Sequence, residues 1–261
     1  MFTLRRHLDG ARAHPTHRDR REAAARTRPL TAVESSPSQA GSSPLLSILL
    51  SILLMLTAGI AHAAEHRALN DAILSIVASY PLDGRYPYGW IRGEDTDGVS
   101  QALLWQGVPL GMPDDARSVH CSGITFEVYV QALSRSRHGD PTAASLLALK
   151  ESWYIREEGT VAVMTGPVEA LVSRGLGVAV DSLDALQPGD FVQFWRNNGN
   201  GHSAVFIEHT RYRDGTIRGL VFWSAQGSSG GLGYRRVSLG EGDSQISPGS
   251  LHGVRAIEPS Q

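Results

Sequence analysis

The chain has 261 residues, enough for one good-sized domain or two small ones, with 41% hydrophobic, 19% charged and 7% aromatic residues. Its net charge of −2 hides an asymmetry: residues 1–44 carry eight Arg against Asp9, Asp19, Glu22 and Glu34, so the remainder is acidic by about six charges. An acidic folded part argues against nucleic-acid binding, which needs a basic stripe, and a single cysteine, Cys121, excludes an intramolecular disulfide and any zinc site built on several thiolates.

Residues 1–44 are rich in Arg, Ser, Pro and Ala without apolar periodicity and read as a disordered head. Residues 45–63 read as the hydrophobic segment of a signal peptide: an apolar core of about 14 residues runs into small residues, with Ala61-His62-Ala63 as the A-x-A cleavage pattern. The stretch before this core is far longer than an ordinary n-region, which points to a true start further along. Arg5-Arg6 stands too far from the core to serve as a twin-arginine signal. The run is short for a membrane span of ~20 residues, so cleavage is favoured over an uncleaved anchor. The expectation is an exported protein, periplasmic or extracellular, that touches membrane only through this segment and is organised as a single domain over residues 64–261.

Within that domain Leu69, Ile73, Ile76 and Val77 have helical spacing, so residues 67–80 predict a helix. The following stretch, YPLDGRYPYGWIRG, reads as loop. Glu94-Asp95-Thr96-Asp97-Gly98 resembles part of a calcium loop but lacks the remaining ligands, and reads as a solvated turn. After Cys121 a largely buried helix is expected, with Glu127, Gln131 and Ser134 as its polar stripe. Further helices are predicted over 142–154 and, with an early proline, over 167–174. The character then changes. Strands are expected over 191–195 and 204–208, joined by a segment with two Asn-Gly pairs. Others follow over 219–223, 233–238 and 252–257. Helices first and an antiparallel meander afterwards give an α+β domain, with N-terminal helices packed on a central sheet of about five strands.

By itself a lone cysteine reads as a small buried hydrophobe, and a lone histidine as a polar turn residue. Context changes both readings. Cys121 stands at a predicted helix start, where unpaired N–H groups and the helix dipole favour a negative charge and where its own N–H could serve as an oxyanion donor. His202 stands where the hairpin enters its second strand, a stiff position from which to aim an imidazole. His120 reads as a loop or oxyanion-wall residue, because consecutive side chains diverge.

Cys121-Ser122-Gly123, then Leu186-Gln187-Pro188-Gly189-Asp190-Phe191, then His202-Ser203-Ala204-Val205-Phe206-Ile207 resemble, in order and context, the papain-like core of NlpC/P60 cysteine peptidases. Tyr86-Pro87-Tyr88-Gly89-Trp90 is similar to the aromatic–glycine stretch upstream of that family's cysteine. The resemblance covers about residues 80–240. It implies a papain-like NlpC/P60-type fold, with Cys121 as nucleophile and His202 as base. The substrate class it implies is peptide or peptidoglycan stem peptide, cleaved at an amide bond, and no cofactor or metal is needed. The family's third polar residue is usually a histidine on the next strand, and this chain departs there. Ser224 and Gln226 share the required strand face, and Gln226 is preferred because its amide oxygen reaches further. The expected enzyme acts as a monomer. The alternatives are an acyltransferase or transamidase using the same pair, and a non-catalytic cell-envelope binding module in which Cys121 is core packing. Zinc hydrolysis is weaker, since the chain has no H-E-x-x-H pattern.

Overall fold

The computed structural model describes residues 69–90, 96–136, 141–154 and 165–259. All of them belong to one compact unit. The signal segment, the head, Glu94 and Asp95 lie outside the described residues. No described helix is long and apolar enough to cross a membrane.

Four helices precede most of the sheet: α1 over 69–79, α2 (Cys121–Leu133), α3 (Ala143–Trp153) and α4 (Pro167–Val172). The expected α+β class holds. Leu69, Ile73, Ile76 and Val77 are all buried, as their spacing predicts. Thr142 caps α3 by accepting the Ser145 N–H at 3.2 Å. α4 ends two residues earlier than expected.

The sheet is larger than the sequence suggested. β1 (Leu103–Trp105) and β2 (Val108–Gly111) form a separate two-stranded sheet. β3 (Gly177–Val180), β4 (Phe191–Arg196), β5 (Gly201–Arg211), β6 (Ile217–Gln226), β7 (Gly231–Ser238) and β8 (Ile246–Ala256) form a six-stranded antiparallel sheet in the order β3-β8-β4-β5-β6-β7. β4 to β7 are the expected meander, and β8 returns to pair with β4 on the other side. The strands missed in the sequence are three or four residues long, below the length at which alternation becomes visible.

Strand alternation gives the sheet two apolar faces. Phe191, Val205 and Trp223 lie in register and pack with the helices; Tyr129 of α2 sits edge-on to Phe191 at 6.2 Å between ring centroids. Val192, Phe194, Ala204, Phe206, Leu220 and Phe222 line the other face and form a second core.

Two buried carboxylates tie helices to the rest. Asp190, fully buried, accepts from Asn70 Nδ2 of α1 at 2.9 Å, from the Gln187 N–H at 2.8 Å and from Arg255 of β8 at 3.0 and 2.9 Å. The Pro-Gly-Asp turn is therefore a knot between α1, β4 and β8. Gly189 within it has φ +93°, and a Cβ there would stand 2.8 Å from the Asn70 carbonyl oxygen, so only glycine fits. Glu127 corrects the expected polar stripe of α2. It is fully buried and accepts from the Ser100 N–H (2.6 Å), Ser100 Oγ (2.7 Å), Tyr80 Oη (2.7 Å), Gln131 Nε2 (3.1 Å) and Gln101 Nε2 (3.2 Å). Burial and the Glu127 charge drive the Tyr80 phenol far above its usual range, which keeps it a donor.

Asp97 corrects the reading of a solvated turn. Its carboxylate pairs with Lys150, accepts the Met112 N–H at 2.8 Å, and its carbonyl accepts from Tyr154 Oη at 2.5 Å.

Candidate active site

α2 begins at Cys121 because His120 caps it. His120 has extended backbone angles, and its Nδ1 accepts the Gly123 N–H at 3.1 Å. A ring nitrogen that accepts is unprotonated, so the proton sits on Nε2, which donates to the Thr96 carbonyl at 3.2 Å. Both ring nitrogens are thus engaged away from the thiol. Gly123 lets the 96–98 strand of chain lie across the helix start: a Cβ there would come within 2.3 Å of the Asp97 and Gly98 carbonyl oxygens. Cys121 is half-buried. Its thiol has Ser122 Oγ at 3.9 Å as a polar neighbour, and its carbonyl accepts from Thr125 Oγ1 at 2.8 Å.

The helix start is stapled to one end of the sheet. The Val119 N–H donates to the Pro87 carbonyl at 2.9 Å and the Gly89 N–H to the Val119 carbonyl at 3.1 Å. On the other side Pro87 bridges to Gly231, and the Tyr88 N–H donates to the Gly230 carbonyl at 3.3 Å. Gln226 pairs with Gly231 across β6 and β7. The end of β4, the start of β5, the end of β6 and the start of β7 all lie at this end of the antiparallel sheet. The Tyr88 ring packs beside Gly227, and burial, with the thiol charge second, pushes its hydroxyl up to about 12.

His202 is the second residue of β5 and pairs directly with Phe194 of β4. It is 5% exposed, with its ring centroid 5.6 Å from that of Phe194 and 5.4 Å from that of Phe222. It therefore shares the second-core face with Ala204 and Phe206, while α2 packs its body against Val205 on the other face. Burial, followed by the positive charge of Arg196, lowers its pKa to about 3, so the ring is neutral at physiological pH. Its Nε2 is buried without a hydrogen-bond partner. No hydrogen bond joins the Cys121 thiol to the His202 ring among the described residues.

Gln226 ends β6. The pairing of β5 with β6 ends at Val205 and Trp223, and strand alternation puts Gln226 on the sheet face of Phe222. Gln226 is buried, and its Nε2 also lacks a partner. Ser224, the alternative orienting residue, donates its hydroxyl to the Ser203 carbonyl at 2.7 Å. No group of three or more His, Cys, Asp or Glu side chains suited to a metal occurs among the described residues.

Sequence reasoning missed Arg196 and the capping role of His120. Both had a signal. Arg196 lies two residues beyond Phe194, on the face of His202, and a residue directly before a helix start is the capping position.

No family model, no curated protein and no solved structure matches the chain.

Proposed function

We propose that the protein is an exported thiol hydrolase that cleaves an amide bond, with Cys121 as nucleophile, His202 as base and Gln226 as the residue that orients the base. The fold is read as papain-like, of the NlpC/P60 type, and the substrate as the peptide part of peptidoglycan. The observation that supports this reading is a helix-start cysteine whose helix start is tied to the end of the sheet that carries a buried imidazole and a buried amide.

In the proposed reaction the Cys121 sulfur attacks the substrate carbonyl while its proton passes to the His202 ring. The oxyanion is received at the N-terminus of α2, where the Cys121 N–H points out of the first turn. The C–N bond then breaks, His202 gives its proton to the departing amine, and a thioester remains. Water, deprotonated by His202, cleaves the thioester to a carboxylate and the free thiol. The Gln226 oxygen accepts the imidazole Nε2–H once its amide turns toward the ring. The reaction uses no cofactor, and the protein acts as a monomer.

A second reading, a non-catalytic envelope-binding module, is favoured by one feature: His202 packs between two phenylalanines without a bond to the thiol. Incubation of the full chain, and of its Cys121→Ala and His202→Ala variants, with peptidoglycan separates the two. Soluble fragments bearing new carboxylates and amines are expected from the unmodified chain only. Binding to the polymer without release by any of the three proteins would support the module instead.

A further inference from the structure

Arg196 is the last residue of β4 and lies on the same sheet face as Phe194 and His202. Its guanidinium carbon stands 5.3 Å from the centroid of the Phe194 ring, the ring that also packs against His202. Arg196 is half-buried. The ion pairs among the described residues join Arg85 to Asp83, Lys150 to Asp97, Arg211 to Asp184 and Arg255 to Asp190. None of them uses Arg196.

A guanidinium presents five donors in a rigid fork and stays charged under all ordinary conditions. The Phe194 face and solvent offset part of the desolvation of this half-buried group, and its donors remain open to an anion with matching acceptors. His202 Nε2 on β5 and Gln226 Nε2 on β6 are buried nitrogens without partners. Three adjacent strands thus bring nitrogen donors to one face at one end of the sheet. The buried carboxylates Glu127 and Asp190 are saturated by other donors.

We infer that Arg196 is a specificity residue that binds a free carboxylate of the substrate beside the amide bond to be cleaved. The planar two-oxygen carboxylate matches the guanidinium fork, and it is the anion that peptides carry. This inference rests on the proposed hydrolase reading for the word substrate, but the binding itself does not depend on catalysis.

The test uses pairs of peptides that share one scissile amide and differ only in a neighbouring free carboxylate or carboxamide. The unmodified protein is expected to favour the acid by about 10- to 100-fold in kcat/KM. Arg196→Met should erase that preference mainly through KM, and Arg196→Lys should keep part of it. An equal loss on both peptides in Arg196→Met, with melting unchanged, would overturn the inference, because the residue would then act on the thiol and not on the substrate. If the unmodified protein cleaves neither peptide, the hydrolase reading fails, and calorimetric titration of both peptides into the Cys121→Ala protein decides Arg196 separately. Acid-selective binding that disappears with Arg196→Met supports it. Equal binding of acid and amide, or binding of neither, rejects it.

Discussion

Phe194 and His202 face each other across β4 and β5, and the imidazole is held in the second core by this ring and by Phe222. The pairing has a thermodynamic signature. The buried ring titrates near 3, against 6.5 for a free imidazole, so between these values the unfolded chain binds the extra proton. The stabilisation is then complete above 6.5 and is lost as pH falls toward 3, with a slope of at most about 1.4 kcal/mol per pH unit. Denaturation midpoints of the unmodified protein and His202→Phe, measured from pH 7 to 3.5, should converge as the medium becomes acidic. A constant difference across that range would mean that the ring is not buried neutral.

The cap on α2 predicts an order of stability at position 120. His120→Ala should cost about 1 kcal/mol, and His120→Asn less, because asparagine also accepts a first-turn N–H. Alkylation of Cys121 by iodoacetamide should persist in the asparagine variant, since His120 Nδ1 is spent on Gly123. Loss of alkylation in that variant alone would make His120 a partner of the thiol.

Asp190 predicts the largest single loss of stability. Asp190→Ala leaves the Arg255 guanidinium with only the Ala185 carbonyl and the Asn70 amide with only the Pro188 carbonyl, removes the buried counter-charge, and should cost about 3–5 kcal/mol in urea denaturation. Arg255→Met added to it should cost less than the two separate effects summed, because both ends of the pair are then gone. Strict additivity would show that the pair contributes no coupling.

Glu127→Gln exchanges a group that only accepts for one that also donates, among five donors. One N–H must then face another, and the expected cost is about 1–3 kcal/mol. Glu127→Asp should also be destabilising, since the shorter side chain cannot span Tyr80 and Ser100 together.

Local patterns carried much of this fold. The helical spacing of Leu69, Ile73, Ile76 and Val77, the Asn-Gly pairs before His202 and the Pro-Gly-Asp turn each act within a few residues, so they could be read directly. Of the candidate residues, two placements were legible: Cys121 starts a helix, and His202 lies at the start of the second strand of its hairpin. The face on which His202 projects was not legible, because it depends on where α2 docks. Glu127 and Asp190 were misread or half-read for the same reason. Their partners lie as far as 47 and 120 residues away in the chain, beyond any local pattern. β1 and β2 escaped because each is too short to alternate visibly, although Gln106 and Gly107 between them both have positive φ, as a tight hairpin turn requires.

Lys150, the chain's sole lysine, is 7% exposed and held by Asp97 and by the Leu110 carbonyl at 2.8 Å. Folding therefore shelters every side-chain amine the protein has. An amine-directed acylating reagent would find Lys150 only when α3 separates from the 96–98 segment, so the time course of mass addition on Lys150 reads the opening of this part of the molecule without any engineered label.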